Sequence, residues 1–202
     1  MNSWLSLPII VAEHSDIRRL NEPVMVGIPL PRGMVFDPSQ LVLFTQKKRL
    51  IPLQVQPLTR WFDDSIQWAL LDFEASVKSG GTSEYRLESV DSPIASVCQP
   101  HLAVQRSADT FIVDTGQATF NLNAQTFKQF DRVVAKGVDV LDKVGSNIVL
   151  TDADERTYAP KITSLAVEVE GPIRLTSKFR ERSPCFAHHV QTSWRALTSM
   201  PI

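Results

Sequence analysis

Cysteine is scarce in this sequence: there are two, Cys98 and Cys185, far apart and without a second Cys or His at metal-ligand spacing. Neither a dense disulfide framework nor a zinc site is thereby suggested, while a single Cys98–Cys185 bridge is left open. Neither sign of charge is in excess, with 21 Lys and Arg against 22 Asp and Glu and a net charge of −1. Such a balance provides no general attraction to phosphate backbones or anionic lipid, so neither nucleic acid nor a membrane surface is expected as a partner. Long apolar runs are missing too, and nothing approaches the roughly 18 consecutive apolar residues that a membrane-spanning helix needs. The N-terminus lacks a basic leading segment and is interrupted by Pro8. No signal peptide is read there, and a cytoplasmic location is the expectation.

What is present is an ordinary globular composition, 43% apolar and 21% charged over 202 residues, enough for one large domain or two small ones. Through about Val90 short apolar runs alternate with prolines. Pro23, Pro29, Pro31, Pro38, Pro52 and Pro57 rule out long helices there. The predicted strands are Ile9 to Ala12, Val24 to Ile28, Leu41 to Phe44, Ile51 to Pro57, Ile66 to Glu74 and Glu84 to Glu88. The run from Ile66 to Glu74 reads as buried on both faces near its middle. Lys78-Ser79-Gly80-Gly81-Thr82-Ser83 reads as a hairpin connection whose flanking strands pair antiparallel.

Asp91-Ser92-Pro93 opens a weakly patterned stretch, which places a domain boundary near residues 91–101 and domains at 1–92 and 101–202. Strands are predicted in the second unit at Leu102 to Gln105, Phe111 to Asp114, Ala118 to Leu122, Val133 to Ala135, Ile148 to Thr151, Leu165 to Glu170 and Ile173 to Phe179. Gly171-Pro172 joins the last two as a tight turn. Phe127, Phe130, Val133 and Val134 also have helical spacing, so a helical turn over Phe127 to Ala135 is the competing reading. The fold class that follows is all-β.

The densest polar and aromatic cluster is Arg60-Trp61-Phe62-Asp63-Asp64-Ser65-Ile66-Gln67-Trp68. As a sugar site it would stack an indole on a sugar ring and use Arg60, Asp63 and Asp64 for hydroxyls and carboxylates, with Trp61 and Trp68 as the aromatic platforms. As a structural element it is a turn into a core strand, with Asp63 or Asp64 bonding the local backbone and Arg60 pairing with one of them. Gly27-Ile28-Pro29-Leu30-Pro31-Arg32-Gly33 lacks the context of a phosphate cradle and reads as a stiff extended loop with a turn at Gly33. Asp152, Asp154 and Glu155 lack the glycine and distant glutamate of a calcium loop and read as solvated charge. His188-His189 beside Cys185 would point to opposite faces of a strand and do not share a ligand easily. Hydrolase, metalloprotease and redox signatures are absent, and no metal or cofactor is implied.

Asn21-Glu22-Pro23-Val24 with Gly27-x-Pro29-x-Pro31-x-Gly33, then Ile51-Pro52-Leu53-Gln54, then Arg60-Trp61-x-Asp63-x-Ser65-Ile66-x-Trp68 running to Phe73, resembles the N-terminal RIFT-barrel domain of the exo-rhamnogalacturonan lyase-like family. Ile112-Val113-Asp114-Thr115-Gly116 and Val167 to Arg174 are similar to that family's central β-sandwich. The resemblance implies a small RIFT-type barrel followed by an antiparallel β-sandwich, and the sandwich reads as incomplete. In the family pattern Trp-x-Asp-Gly-Ser a glycine stands where this chain has Asp64. The family's long α/α-toroid, where its lyase chemistry is expected, has no counterpart up to Ile202.

β-Elimination from a uronic acid needs a base and a carboxylate neutraliser in one cleft. Lys161, His188, His189 and Arg195 are the residue types available, and nothing in the sequence unites them, so no catalytic residue is assigned. The resemblance therefore implies the non-catalytic front of a polysaccharide-degrading protein, giving structural or sugar-binding support, with a pectin-type oligosaccharide and the α/α-toroid domain as partners. A free-standing carbohydrate-binding or protein-interaction module and a short active lyase are the alternatives. A truncated sandwich would also expose a sheet edge, which predicts association of the isolated chain.

Overall fold

The computed structural model describes residues 5–91, 102–124, 130–141, 150–158, 161–182 and 190–197. These residues form strands throughout, with one short 3₁₀ turn at Pro38–Gln40. None of their helical segments is long and apolar enough to cross a membrane. The chain divides into two compact units, Met1–Gln99 with Ser199–Ile202, and Pro100–Thr198. From residue 92 to 101 the stretch expected to hold the boundary lies outside the described residues, as do Cys98, Cys185, His188 and His189.

The first unit contains β1 (Ser6–Ala12), β2 (Arg19–Pro29), β3 (Leu41–Thr45), β4 (Leu50–Ile51), β5 (Leu53–Arg60), β6 (Ile66–Val77) and β7 (Thr82–Ser89). They make two sheets in the orders β1-β7-β3-β4 and β2-β6-β5, and every pairing is antiparallel. Alternation in β6 aims Ala69, Leu71, Phe73, Ala75 and Val77 into the interior. Leu43 and Leu87 of the other sheet meet them there, and Phe73 packs on Tyr85 with ring centroids 5.4 Å apart. Burying a side chain of that size stabilises a fold by roughly 1.5–3 kcal/mol, so this interior is what closes the two sheets on each other. On the opposite face of β6, Asp72 is buried as well, so the middle of the strand is covered on both sides.

Prolines sit where the ladder tolerates them. Pro23 and Pro29 lie on β2, an edge strand, and Pro57 lies at a register shift in β5, the other edge. Pro52 breaks the predicted run from Ile51 to Pro57 into β4 and β5, which belong to different sheets.

One predicted pairing is overturned: β6 and β7 flank the glycine turn but do not pair with each other. Both edges of β6 are taken by β2 and β5, and both edges of β7 by β1 and β3, so neither has a free edge to offer. The turn closes on itself through Gly81 N–H donating to Lys78 O at 3.0 Å, an ordinary hydrogen-bond length. Its outer groups go to Glu13, whose Oε2 accepts from Gly80 N–H at 2.9 Å and whose own N–H donates to Gly81 O at 2.9 Å.

The second unit contains β8 (Ala103–Arg106), β9 (Thr110–Asp114), β10 (Ala118–Asn123), β11 (Arg132–Ala135), β12 (Val138–Asp139), β13 (Leu150–Thr151), β14 (Thr157–Tyr158), β15 (Lys161–Glu170), β16 (Arg174–Arg182) and β17 (Val190–Leu197). A five-stranded sheet β12-β11-β10-β9-β8 and a three-stranded sheet β15-β16-β17 share a core, with Val113 and Leu122 from the first against Leu175 from the second. Two antiparallel sheets on a common apolar layer are a β-sandwich. The helical reading of Phe127 to Ala135 is overturned at its described end, since Arg132–Ala135 pairs with β10 and buries Val133. Phe127 itself lies outside the described residues, while Phe130 packs against Phe120 at 5.3 Å. Strands β12, β14 and β17 were not predicted.

Candidate functional site

The cluster from Arg60 to Trp68 spans the end of β5, a five-residue turn and the start of β6. Trp61 N–H donates to Ser65 O at 2.8 Å and Asp64 N–H to Trp61 O at 3.0 Å, which closes the turn. Inside it the Asp63 carboxylate accepts from Ser65 N–H at 3.1 Å and from the Ser65 hydroxyl at 2.6 Å. Asp64 takes the left-handed conformation with φ 67°, which a glycine occupies without strain and which Asp tolerates better than most residues. The replacement of the family's glycine therefore leaves this turn intact.

The same side chains fasten the turn to the segment after β2. Arg32 Nε donates to Asp63 Oδ2 at 3.0 Å, Gly33 N–H to the Ser65 hydroxyl at 2.9 Å, and Trp61 Nε1 to Leu30 O at 3.1 Å. Arg60 Nη1 donates to Phe36 O at 3.0 Å and to Asp64 O at 2.7 Å. Leu30 N–H to Gln67 O at 2.8 Å and Ile66 N–H to Val35 O at 2.7 Å complete the seam. Gly33 has φ 76°, and its backbone conformation rather than lack of space calls for glycine there. Ser65 has no solvent exposure and works as both donor and acceptor.

The Ser65 hydroxyl, above all, holds the Asp63 carboxyl below its ordinary range; partial desolvation opposes it, and the Ser65 N–H and the Arg32 guanidinium add to it. Three other carboxylates are held low in the same manner. Glu13 is governed first by Gly80 N–H, Asp37 by the Ser39 hydroxyl and Asp152 by Arg156 N–H. Each is an ionised acceptor at a turn, the reverse of the raised pKa that a carboxylic general acid needs.

Of the five candidate sugar contacts, Arg60, Trp61 and Asp63 thus spend polar groups on the fold. Arg60 is also 3.8 Å from Asp64, an exposed pair of small energetic weight. Asp64 keeps its carboxylate in solvent, and Trp68 stands 43% exposed on the outer face of β6, between Pro29 and Thr59 of the neighbouring strands. Sequence reasoning missed two residues here. Phe62 is 82% exposed at the tip of the turn, and Arg32 lies over its ring with Cζ 3.4 Å from the centroid. A phenylalanine between two turn residues is a local signal for Phe62, whereas Arg32, 31 residues from Asp63, carries none.

Among the described residues, the structure does not bring together Lys161 and Arg195, two of the residue types that β-elimination would use. Register sets Lys161 opposite Arg182 and Arg195 opposite Thr176, so the two cations lie six residues of β16 apart, about 20 Å. His188 and His189 fall outside the described residues. Asp152 accepts from Asp154 N–H and Arg156 N–H within its own turn, and among the described residues no group of three or more His, Cys, Asp or Glu is arranged to hold a metal ion.

No curated protein matches the sequence. Residues 13–90 match the family described as the PcRGLX-like N-terminal RIFT barrel domain, a span that runs from the end of β1 through β7 and includes the whole turn and its seam. Over that span the first unit is thus a RIFT barrel domain similar to the N-terminal one of PcRGLX-like proteins.

Proposed function

We propose that this chain is the non-catalytic N-terminal part of a rhamnogalacturonan lyase-like protein and gives structural or sugar-binding support to polysaccharide degradation. The observation that carries the reading is the commitment of Arg60, Trp61 Nε1 and Asp63 to the seam between the 61–65 turn and residues 30–36. A base for C5 of a uronic acid needs a lone pair facing substrate, and Asp63 instead has Ser65 and Arg32 on its two oxygens. What the turn offers outward is aromatic surface, the ring of Phe62 and on the neighbouring strand that of Trp68, which suits the apolar face of a sugar. The partners on this reading are a pectin-type oligosaccharide and an α/α-toroid domain that carries the chemistry.

The test is to incubate the chain with rhamnogalacturonan oligosaccharides, with and without divalent cations, and follow the ultraviolet absorbance of the unsaturated product. No turnover is expected, together with measurable binding of the same oligosaccharides. Turnover by the isolated chain would establish the short-lyase reading in place of this one, and absence of binding would reduce the role to structure alone.

A further inference from the structure

A groove of about 600 Å³ opens in the first unit beside the β3–β4 turn, within the size range of ligand sites and large enough for a short oligosaccharide. Three consecutive cations, Lys47, Lys48 and Arg49, occupy that turn. The backbone beneath them is fixed by Thr45 N–H to Arg49 O at 2.9 Å, Lys48 N–H to Thr45 O at 2.8 Å and Arg49 N–H to Thr45 Oγ1 at 3.2 Å. Among the described residues none of the three forms an ion pair within 4.0 Å. Lys47 and Arg49 line the groove, and Lys48 lines a smaller one of about 360 Å³.

The rest of the lining differs in sign. Glu74 and Glu84 line the same groove, together with Ser76, whose hydroxyl is bonded to Asn21. Glu84 is held in place by Gln46 Nε2 at 3.1 Å and Arg86 Nη2 at 3.4 Å. Pro52 adds an apolar edge to the lining. Cations alone would suit any polyanion, but a nucleic acid or polyphosphate chain would meet the two carboxylates as like charge. A ligand that carries one carboxylate per ring and several hydroxyls satisfies both: the carboxylate faces Lys47 and Arg49, and the hydroxyls donate to Glu74 and Glu84. We propose that this groove binds an acidic oligosaccharide, with its carboxylate on Lys47 and Arg49 and its hydroxyls on Glu74 and Glu84. The assignment rests on the sugar-binding reading above and adds a site that the 61–65 turn does not contain.

The experiment is calorimetric titration of the full chain with a short linear oligogalacturonate and with the same oligosaccharide after its carboxylates are reduced to alcohols. The neutral form is expected to bind about tenfold more weakly or worse, and the Lys47→Ala/Arg49→Ala double variant to lose about tenfold in affinity for the acidic form. Lys136→Ala, which removes an exposed cation of the second unit, serves as a charge control and should bind as the unaltered chain does. Melting curves of the variants confirm that they fold. If the double variant binds normally, if the neutral form binds equally well, or if Lys136→Ala is just as damaging, the groove assignment falls while sugar binding stands. If the unaltered chain binds neither form, the groove assignment falls, and the rhamnogalacturonan binding test above decides whether sugar binding falls with it.

Discussion

Two turns, one in each unit, are built with the same local chemistry and have different reach. In the first, Asp63 caps Ser65 N–H; in the second, Asp152 caps Asp154 N–H and Arg156 N–H at 2.9 Å each. Each turn also places a residue other than glycine in the left-handed region, Asp64 with φ 67° and Glu155 with φ 61°. Each leading carboxylate is held below its ordinary pKa. They differ in where the remaining bonds go. The second oxygen of Asp152 reaches the Tyr158 hydroxyl, six residues on, whereas Asp63 and Ser65 reach back to Arg32 and Gly33, 31 and 32 residues away. The Asp152 turn shapes its own hairpin, and the Asp63 turn stitches two parts of the barrel together.

The largest effect expected from breaking this comparison is at Ser65. Ser65→Ala leaves the Gly33 N–H without its buried partner and leaves Asp63 Oδ1 with only the Ser65 N–H, a loss of about 1–3 kcal/mol in urea unfolding. Amide exchange should accelerate across residues 30–36 as well as 61–66. Asp152→Ala is the counterpart, and its accelerated exchange should be confined to residues 150–158. Exchange that stayed local in Ser65→Ala would show that the seam is held without the serine.

Acid titration comes next in size. Asp63 and Asp152 have folded pKa values below the ordinary 3.8, so the stability they contribute is fully present above that value and is lost as pH falls through the folded one. Exchange in both turns, taken relative to the intrinsic rate at each pH, should therefore be flat down to about pH 4 and rise below it. Asp63→Asn should flatten the acid response of residues 30–36 alone, and Asp152→Asn that of residues 150–158 alone. A rise that began near neutral pH would point to a different titrating group.

What was legible in the sequence follows the same division between local and distant bonds. Alternation and β-branched residues located the central strands, and the structural reading of the 60–68 cluster included an Asp bonded to its local backbone and Arg60 paired with a neighbouring Asp; the pair formed is with Asp64. Arg32 was missed as the partner of Asp63 because nothing within one turn of either residue signals a bond across 31 positions. The β6–β7 pairing failed for a related reason: a glycine turn shows that the chain reverses, but not that β2, β5, β1 and β3 already hold every edge of the two strands. Strands β12 and β14, two residues each, are too short to show a period of two. The exposure of Phe62 depends on the tip of the turn facing solvent, which the pattern of residues around it does not specify.

The smallest effect sharpens the comparison most finely, since it concerns the two left-handed residues themselves. Asp64→Gly removes the left-handed penalty, worth roughly 1 kcal/mol, and at the same time gives the unfolded chain more freedom and removes a weak exposed pair with Arg60. These contributions nearly cancel, so the midpoint of unfolding should move by no more than about 0.5 kcal/mol. Glu155→Gly differs on one count: Asp and Asn enter the left-handed region more readily than Glu, so replacing Glu155 relieves more strain. It should therefore stabilise its hairpin by about 0.5 kcal/mol more than Asp64→Gly stabilises the barrel, measured as slowed exchange at Arg156 and Tyr158. A clear loss on Asp64→Gly would mean that its carboxylate helps to hold Arg60 on Phe36 O, and the seam would then include Asp64 as well as Asp63.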